Sequence, residues 1–289
     1  MEFNTGGGMI MKNMSKLYFI VVLLLTSALV GCGGGGGGSS SGGSSGGGGD
    51  SGGSGGGGST IVRNFTSWSD VEPDSEYTLS GISAETSQEN ILISDEATLN
   101  FTTDSNAELD TLVIKTPKST ASYSTADGDN INIETGTGNP WDYQTFGIWM
   151  KEGPVIGAIS AGAPTSVNAV PTTGTATYTG NSTGIYNDSN DLYQTVSGLN
   201  VDADFANRTL DFKTSGTVNM TDNVSMSELD MDGTLNINAN KFTGSVSTKS
   251  GLTGDATGQF YGPAAEELGG VFATSNGNKS YIGAFGGSK

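Results

Sequence analysis

Beyond residue 58, apolar side chains recur mostly at every second position, in short runs separated by clusters of Gly, Asn, Asp, Ser and Thr. Alternate residues of a strand face opposite sides, so this period predicts half-buried β-strands, and almost no run has helical spacing. The alternation is clearest in Leu229-Asp230-Met231-Asp232 and, past Gly233, in Thr234-Leu235-Asn236-Ile237-Asn238. There the step Asn238-Ala239-Asn240-Lys241 reads as a hairpin turn. The pattern predicts strands at Tyr77–Ile82, Asn90–Ser94, Ala97–Thr102, Thr111–Lys115 and Asn130–Glu134, a small β-domain over 59–138. A break is expected at Gly136-Thr137-Gly138-Asn139-Pro140, which is unsuited to continuing a strand. Further strands are predicted at Tyr143–Met150, Thr173–Thr179, Leu199–Phe205, Thr209–Thr214, Leu229–Asn238, Lys241–Thr248, Thr253–Tyr261, Gly269–Ala273 and Tyr281–Phe285. The fold class is therefore all-β. A meander closing at eight antiparallel strands over 139–289 would remove its own edges, and a two-sheet sandwich fits the same periodicity almost as well.

The first 58 residues follow different rules. Lys12 and Lys16 precede an apolar run from Leu17 to Val30, shorter than the roughly 20 residues of a spanning helix, so residues 1–32 read as an export signal. Leu29-Val30-Gly31-Cys32 resembles the lipobox of bacterial lipoproteins, which makes Cys32 the expected lipidation site and first mature residue. It is the only cysteine in the chain, and an unpaired cysteine in an exported protein itself needs an explanation. Translation is expected to start at Met11 or Met14, where a complete signal begins. From 33 to 58 every residue is Gly or Ser except Asp50. That stretch has no apolar surface to offset the entropy of ordering, so it is expected to be a flexible leash reaching at most about 90 Å. A glycine-rich phosphate loop is excluded by context, since no strand precedes it and no helix follows.

Charge and composition narrow the chemistry. The chain carries a formal charge of −18, which disfavours nucleic acid as a partner. It has no histidine, which removes the commonest general base, metal ligand and pH switch together. With Cys32 lipidated, no Ser-His-Asp or Cys-His catalysis and no histidine-containing zinc site is available. Carboxylate pairs remain. Asp202 and Asp204 would share a strand face, whereas Glu266 and Glu267 would point to opposite faces. Acid–base work also needs environments that drive the two pKa values apart, so no catalytic residue and no enzyme activity is expected, and no metal site is assigned.

A family resemblance enters with Gly258-Gln259-Phe260-Tyr261-Gly262-Pro263-Ala264-Ala265-Glu266-Glu267-Leu268-Gly269-Gly270-Val271-Phe272 and Tyr281-Ile282-Gly283-Ala284-Phe285-Gly286. These segments are similar to the terminal strands of the transferrin-binding protein B barrel domain. Phe146-Gly147-Ile148-Trp149 and Pro171-Thr172-Thr173-Gly174-Thr175-Ala176-Thr177-Tyr178-Thr179-Gly180 resemble that family's first strands, so the likeness runs from about Tyr143 to Lys289. The preceding β-domain would then correspond to the family's handle. Phe260, Phe272 and Phe285 are expected to fill the barrel, with Tyr261 and Gly286 in the same motif. Gly262-Pro263 is expected to turn into a short helical piece at Ala264–Leu268, and Gly269 and Gly270 to start the next strand without crowding.

The resemblance implies a lipid-anchored outer-membrane protein, moved to the cell surface by an outer-membrane lipoprotein translocator. It would bind a host protein or a haem or iron source through loops at barrel and handle ends. No cofactor is assigned; haem, if taken, would fall to a tyrosine such as Tyr123, Tyr186 or Tyr193, or to a methionine. Two other readings stand beside this one. They are a periplasmic solute- or haem-binding lipoprotein using the barrel mouth, and an adhesive surface protein without a soluble ligand.

Overall fold

The computed structural model describes residues 61–87, 90–124, 131–134, 141–151 and 155–289. The signal, lipobox and leash lie outside them. Eight strands build a first sheet: β1 (Ile61–Asn64), β2 (Ser75–Ser87), β3 (Asn90–Thr103), β4 (Leu109–Lys115), β5 (Thr120–Ser124), β6 (Ile131–Glu134), β7 (Gln144–Lys151) and β8 (Val155–Gly162). Their order is β5-β4-β3-β2-β8-β7-β6, with β1 beside β2. Eight more close an antiparallel barrel: β9 (Thr175–Asn187), β10 (Leu192–Asp204), β11 (Thr209–Asn219), β12 (Met231–Asn238), β13 (Lys241–Thr248), β14 (Thr253–Tyr261), β15 (Glu267–Asn276) and β16 (Lys279–Ser288). β16 pairs back onto β9, so the barrel has no free edge.

The barrel forms because its strands alternate. Met231, Leu235 and Ile237 of β12 point inward while Asp232, Thr234, Asn236 and Asn238 face water. The expected hairpin is present: Asn238 pairs with Lys241, and Ala239 takes the positive φ of 56° that such a turn demands. Inside, Tyr178, Phe212, Phe242, Phe260, Phe272, Tyr281 and Phe285 fill the space with Leu210, Leu229 and Leu235. This is a packed core, as expected for a small barrel of eight strands.

The structure corrects the expected boundary at 139. The strand expected at Tyr143–Met150 belongs to the first sheet as β7, joined to an additional strand, β8, that pairs with β2. The sheet thus runs on to Gly162, and the change to the barrel falls in 163–174, which holds Pro164 and Pro171. The helical piece expected at Ala264–Leu268 does not form. Tyr261 pairs with Glu267, so Gly262–Ala265 is a tight turn, Gly262 has φ 85°, and Leu268 already lies in β15.

The first sheet curls over one core of its own and lays its other face on the barrel. Tyr77, Leu79, Leu99, Phe101, Ile114, Trp149 and Ile159 make the inner cluster. Phe101 stacks on Tyr77 at 4.9 Å and on Trp68 at 5.0 Å. On the opposite face Ile82, Ala84, Phe146, Ile148 and Ala158 meet Ile185, Val271, Ala273, Ile282 and Ala284 of the barrel's outer surface. β15 and β16 are therefore buried on both faces.

Candidate functional site

The strand order gathers two sets of turns at opposite barrel ends. At one end lie 205–208, Ala239-Asn240, the Gly262–Ala265 turn and the entering chain at 163–174. That end is sealed: Thr165 donates its N–H to the Phe260 carbonyl, Asn240 donates to the Thr165 carbonyl, and the Tyr178 hydroxyl donates to the Ala265 carbonyl. At the other lie 188–191, 220–230, 249–252 and 277–278.

The second end carries a groove of about 390 Å³. Tyr186, Tyr193, Val224 and Met226 give it apolar surface; Asp188, Asp222, Glu228 and Lys279 edge it. Tyr186 and Tyr193, paired across β9 and β10, stack at 6.1 Å. The turn before Tyr193 is tied by its own side chains, with Asp188 Oδ1 accepting the N–H groups of Asn190 and Asp191. Those bonds hold the Asp188 carboxyl below the usual range. Burial, then Asp188 and Asp191, raise the Tyr193 phenol. The same forces oppose the phenolate that an iron ligand requires.

The 220–230 loop is held in place although two of its apolar side chains are not buried. Asn219 donates its N–H to the Val224 carbonyl, Met220 to Gln194, Met226 to Thr217, and the Asp222 carboxylate accepts the Val224 N–H. Beneath it, the Asp230 carboxylate accepts both the N–H and hydroxyl of Thr217 and pairs with Lys249 at 2.8 Å. Burial works against that charge, yet the Lys249 and Thr217 bonds hold Asp230 below its ordinary value. Among the described residues five large apolar side chains are exposed, and Met220 and Val224 of this loop are two of them, at 37 % and 56 %. A rigid loop that presents apolar side chains to water beside stacked tyrosines has the makeup of a protein-docking surface.

The motif residues singled out in the sequence lie elsewhere. Phe260, Phe272 and Phe285 are inside the barrel, and Gly270 lies beneath the Phe285 ring. Tyr261, Gly269 and Gly286 face the first sheet: Tyr261 shares a hydrogen bond with Ser160, Gly269 lies under the Gln144 side chain and Gly286 under Phe146. Pro263 lies on the exposed turn. The motif thus fills the barrel on one face and seats the sheet on the other. Tyr123 does not line the groove; it lies on β5, its hydroxyl donating to the Met150 carbonyl.

The carboxylate pairs do not assemble as acid and base. Asp202 accepts from Thr177 and Asn200, while Asp204 caps the following turn by accepting from Asn207. Glu266 accepts the Ala264 N–H in its turn, and Glu267 is buried between sheet and barrel. Sequence reasoning named Tyr186 and Tyr193 of the groove but missed Met220 and Val224, which sit in a loop without periodicity. The nearest signal was the sequence Met220-Thr221-Asp222-Asn223-Val224, in which apolar residues flank turn formers.

Residues 170–289, which form the barrel with its entering chain, match the family described as the C-lobe and N-lobe beta barrels of Tf-binding protein B. The barrel is thus similar to the barrels of transferrin-binding protein B, and the match does not extend to the first sheet. Among curated proteins none matches the chain. Among solved structures, transferrin-binding protein B from Haemophilus parasuis is 17% identical with a TM-score of 0.49, over 72% of this chain and 45% of that one. The haemoglobin receptor HpuA from Kingella denitrificans is 16% identical with a TM-score of 0.39, over 80% and 94%. The N-lobe of lactoferrin-binding protein B from Moraxella bovis is 17% identical with a TM-score of 0.40, over 73% and 99%. The chain therefore spans less than half the length of the transferrin-binding protein B structure it matches.

Proposed function

We propose that this protein is a surface lipoprotein, tethered to the outer membrane through Cys32, that captures a host protein on the loop end of its barrel. The observation that carries this reading is the held, apolar 220–230 loop beside the Tyr186–Tyr193 stack on a barrel similar to those of transferrin-binding protein B. The packed interior supports contact at the outer surface rather than enclosure of a solute inside the barrel. Without any histidine in the sequence, binding suits the chain better than catalysis. The leash of residues 33–58 would hold the folded part clear of lipid headgroups, and a lipoprotein translocator would place it outside.

Brief protease treatment of intact cells tests the placement. The reading expects loss of the protein from whole cells with a periplasmic marker left intact; digestion only after lysis would contradict it. Intact cells offered labelled serum or red-cell lysate should retain one dominant protein, and cells lacking the chain should not.

A further inference from the structure

Where the sheet meets the barrel, one carboxylate bridges the two. Glu267 leads β15 with its side chain on the barrel's outer face, 3% exposed beneath the approach to β7. Its Oε1 accepts the Asp142 N–H at 2.6 Å and the Tyr143 N–H at 3.2 Å, and Oε2 lies 3.2 Å from the same Tyr143 nitrogen. The amides belong to the sheet and the acceptor to the barrel. Next along, Gln144 donates to the Leu268 carbonyl at 2.9 Å, and Ala163 donates to the Tyr143 carbonyl at 2.8 Å.

Apart from the Lys289 ammonium, the charged and titratable groups around this carboxylate are acidic or phenolic. Asp142 and Tyr143 come from the approach to β7, Glu266 from the preceding turn and Tyr261 from β14, while Asp70, from the helical turn before β2, acts on Tyr143. Asp142 accepts from Ser69 of that turn, and Asp70 accepts from Ser67 and Thr66 just before it. The salt bridges among the described residues are Arg63–Glu72, Lys241–Asp95 and Lys249–Asp230, none of them at Glu267. The nearby Lys289 ammonium donates instead to the Ala264 carbonyl.

We infer that Glu267 is a proton-operated latch between sheet and barrel. Protonated, it closes the seam over Asp142 and Tyr143; ionised, it favours local opening that lets water reach the carboxylate. A buried charge beside other carboxylates and without a cation is disfavoured. Burial accordingly pushes the Glu267 carboxyl up to about 7 from 4.5, with a smaller push from the Asp142 charge and against the pull of the Asp142, Tyr143 and Gln144 N–H groups.

The sign follows from linkage. Between 4.5 and about 7 the closed form keeps a proton that the opened form has lost. The contribution to closure is complete below 4.5 and disappears as pH rises through about 7. Within that window the opening constant should grow by up to about tenfold per pH unit and then level off.

Amide hydrogen exchange on the intact protein tests this at Asp142, Tyr143 and Ala163, corrected for the intrinsic pH dependence of exchange. Wild type should lose protection across the window and level off above it. Glu267→Gln should show no such slope, and Asp142→Asn should keep the slope but level off at lower pH. An unchanged slope in Glu267→Gln, or a flat wild type, overturns the latch. Should Glu267→Gln fail to fold, carboxyl-carbon NMR of wild type decides, because a Glu267 midpoint near 4.5 in the folded protein also overturns it.

Discussion

Gly270 shows how single positions set this barrel. A Cβ there would lie 2.3 Å from the Thr257 carbonyl oxygen and 2.7 Å from the Phe285 ring, so the glycine is what lets β14, β15 and an inward aromatic share one layer. Gly270→Ala should cost about 1–3 kcal/mol by overpacking, read as a lower urea midpoint with an unchanged slope. Gly198→Ala is the contrast, since a Cβ there would meet nothing closer than Ser215 at 3.6 Å. Its midpoint should stay within about 0.5 kcal/mol of wild type. The same reasoning explains why the motif serves as structure: its aromatics and glycines are matched to one another across the barrel wall.

At the scale of elements, the 220–230 loop depends on one buried acid. Asp230 ties the end of the 220–230 loop to Thr217 of β11 and to Lys249 in the β13–β14 turn. Asp230→Ala leaves the Thr217 donors without their partner and should cost about 1–3 kcal/mol, with faster exchange of the Thr217 amide. Because the folded carboxyl is held low, its contribution is present above 3.8 and is lost as pH falls through the lower folded value, opposite in sign to Glu267. The sequence pattern revealed Lys241–Thr248 and Thr253–Tyr261, which form at the residues their alternation predicts. Val155–Gly162 escaped it because Ala158, Ile159 and Ala161 are buried on both sides of the sheet, leaving a run of small apolar residues without a period. The expected pieces Asn90–Ser94 and Ala97–Thr102 are one strand, in which exposed Asp95 and Glu96 interrupt the apolar run without ending the pairing. The boundary was misplaced for a related reason. Gly136–Pro140 reads as a break in sequence, yet β7 beyond it finds its partners in β6 and β8.

At the scale of the whole molecule, a curled sheet is seated on three strands of a filled barrel, and the uncovered loop end presents Met220, Val224 and the tyrosine stack. The sealed opposite end has its own exposed residue, Val167 at 56 %, which makes it a matched control. The deciding measurement is host-protein capture by immobilised wild type, a Met220→Asp/Val224→Asp double variant and Val167→Asp, each first shown to be folded by its β-sheet circular dichroism. The account predicts one dominant serum or red-cell protein on wild type and on Val167→Asp, and at least about tenfold less on the double variant, the loss expected of a docking hot spot. Equal recovery on all three, or loss on Val167→Asp alone, would contradict a binding site at the loop end.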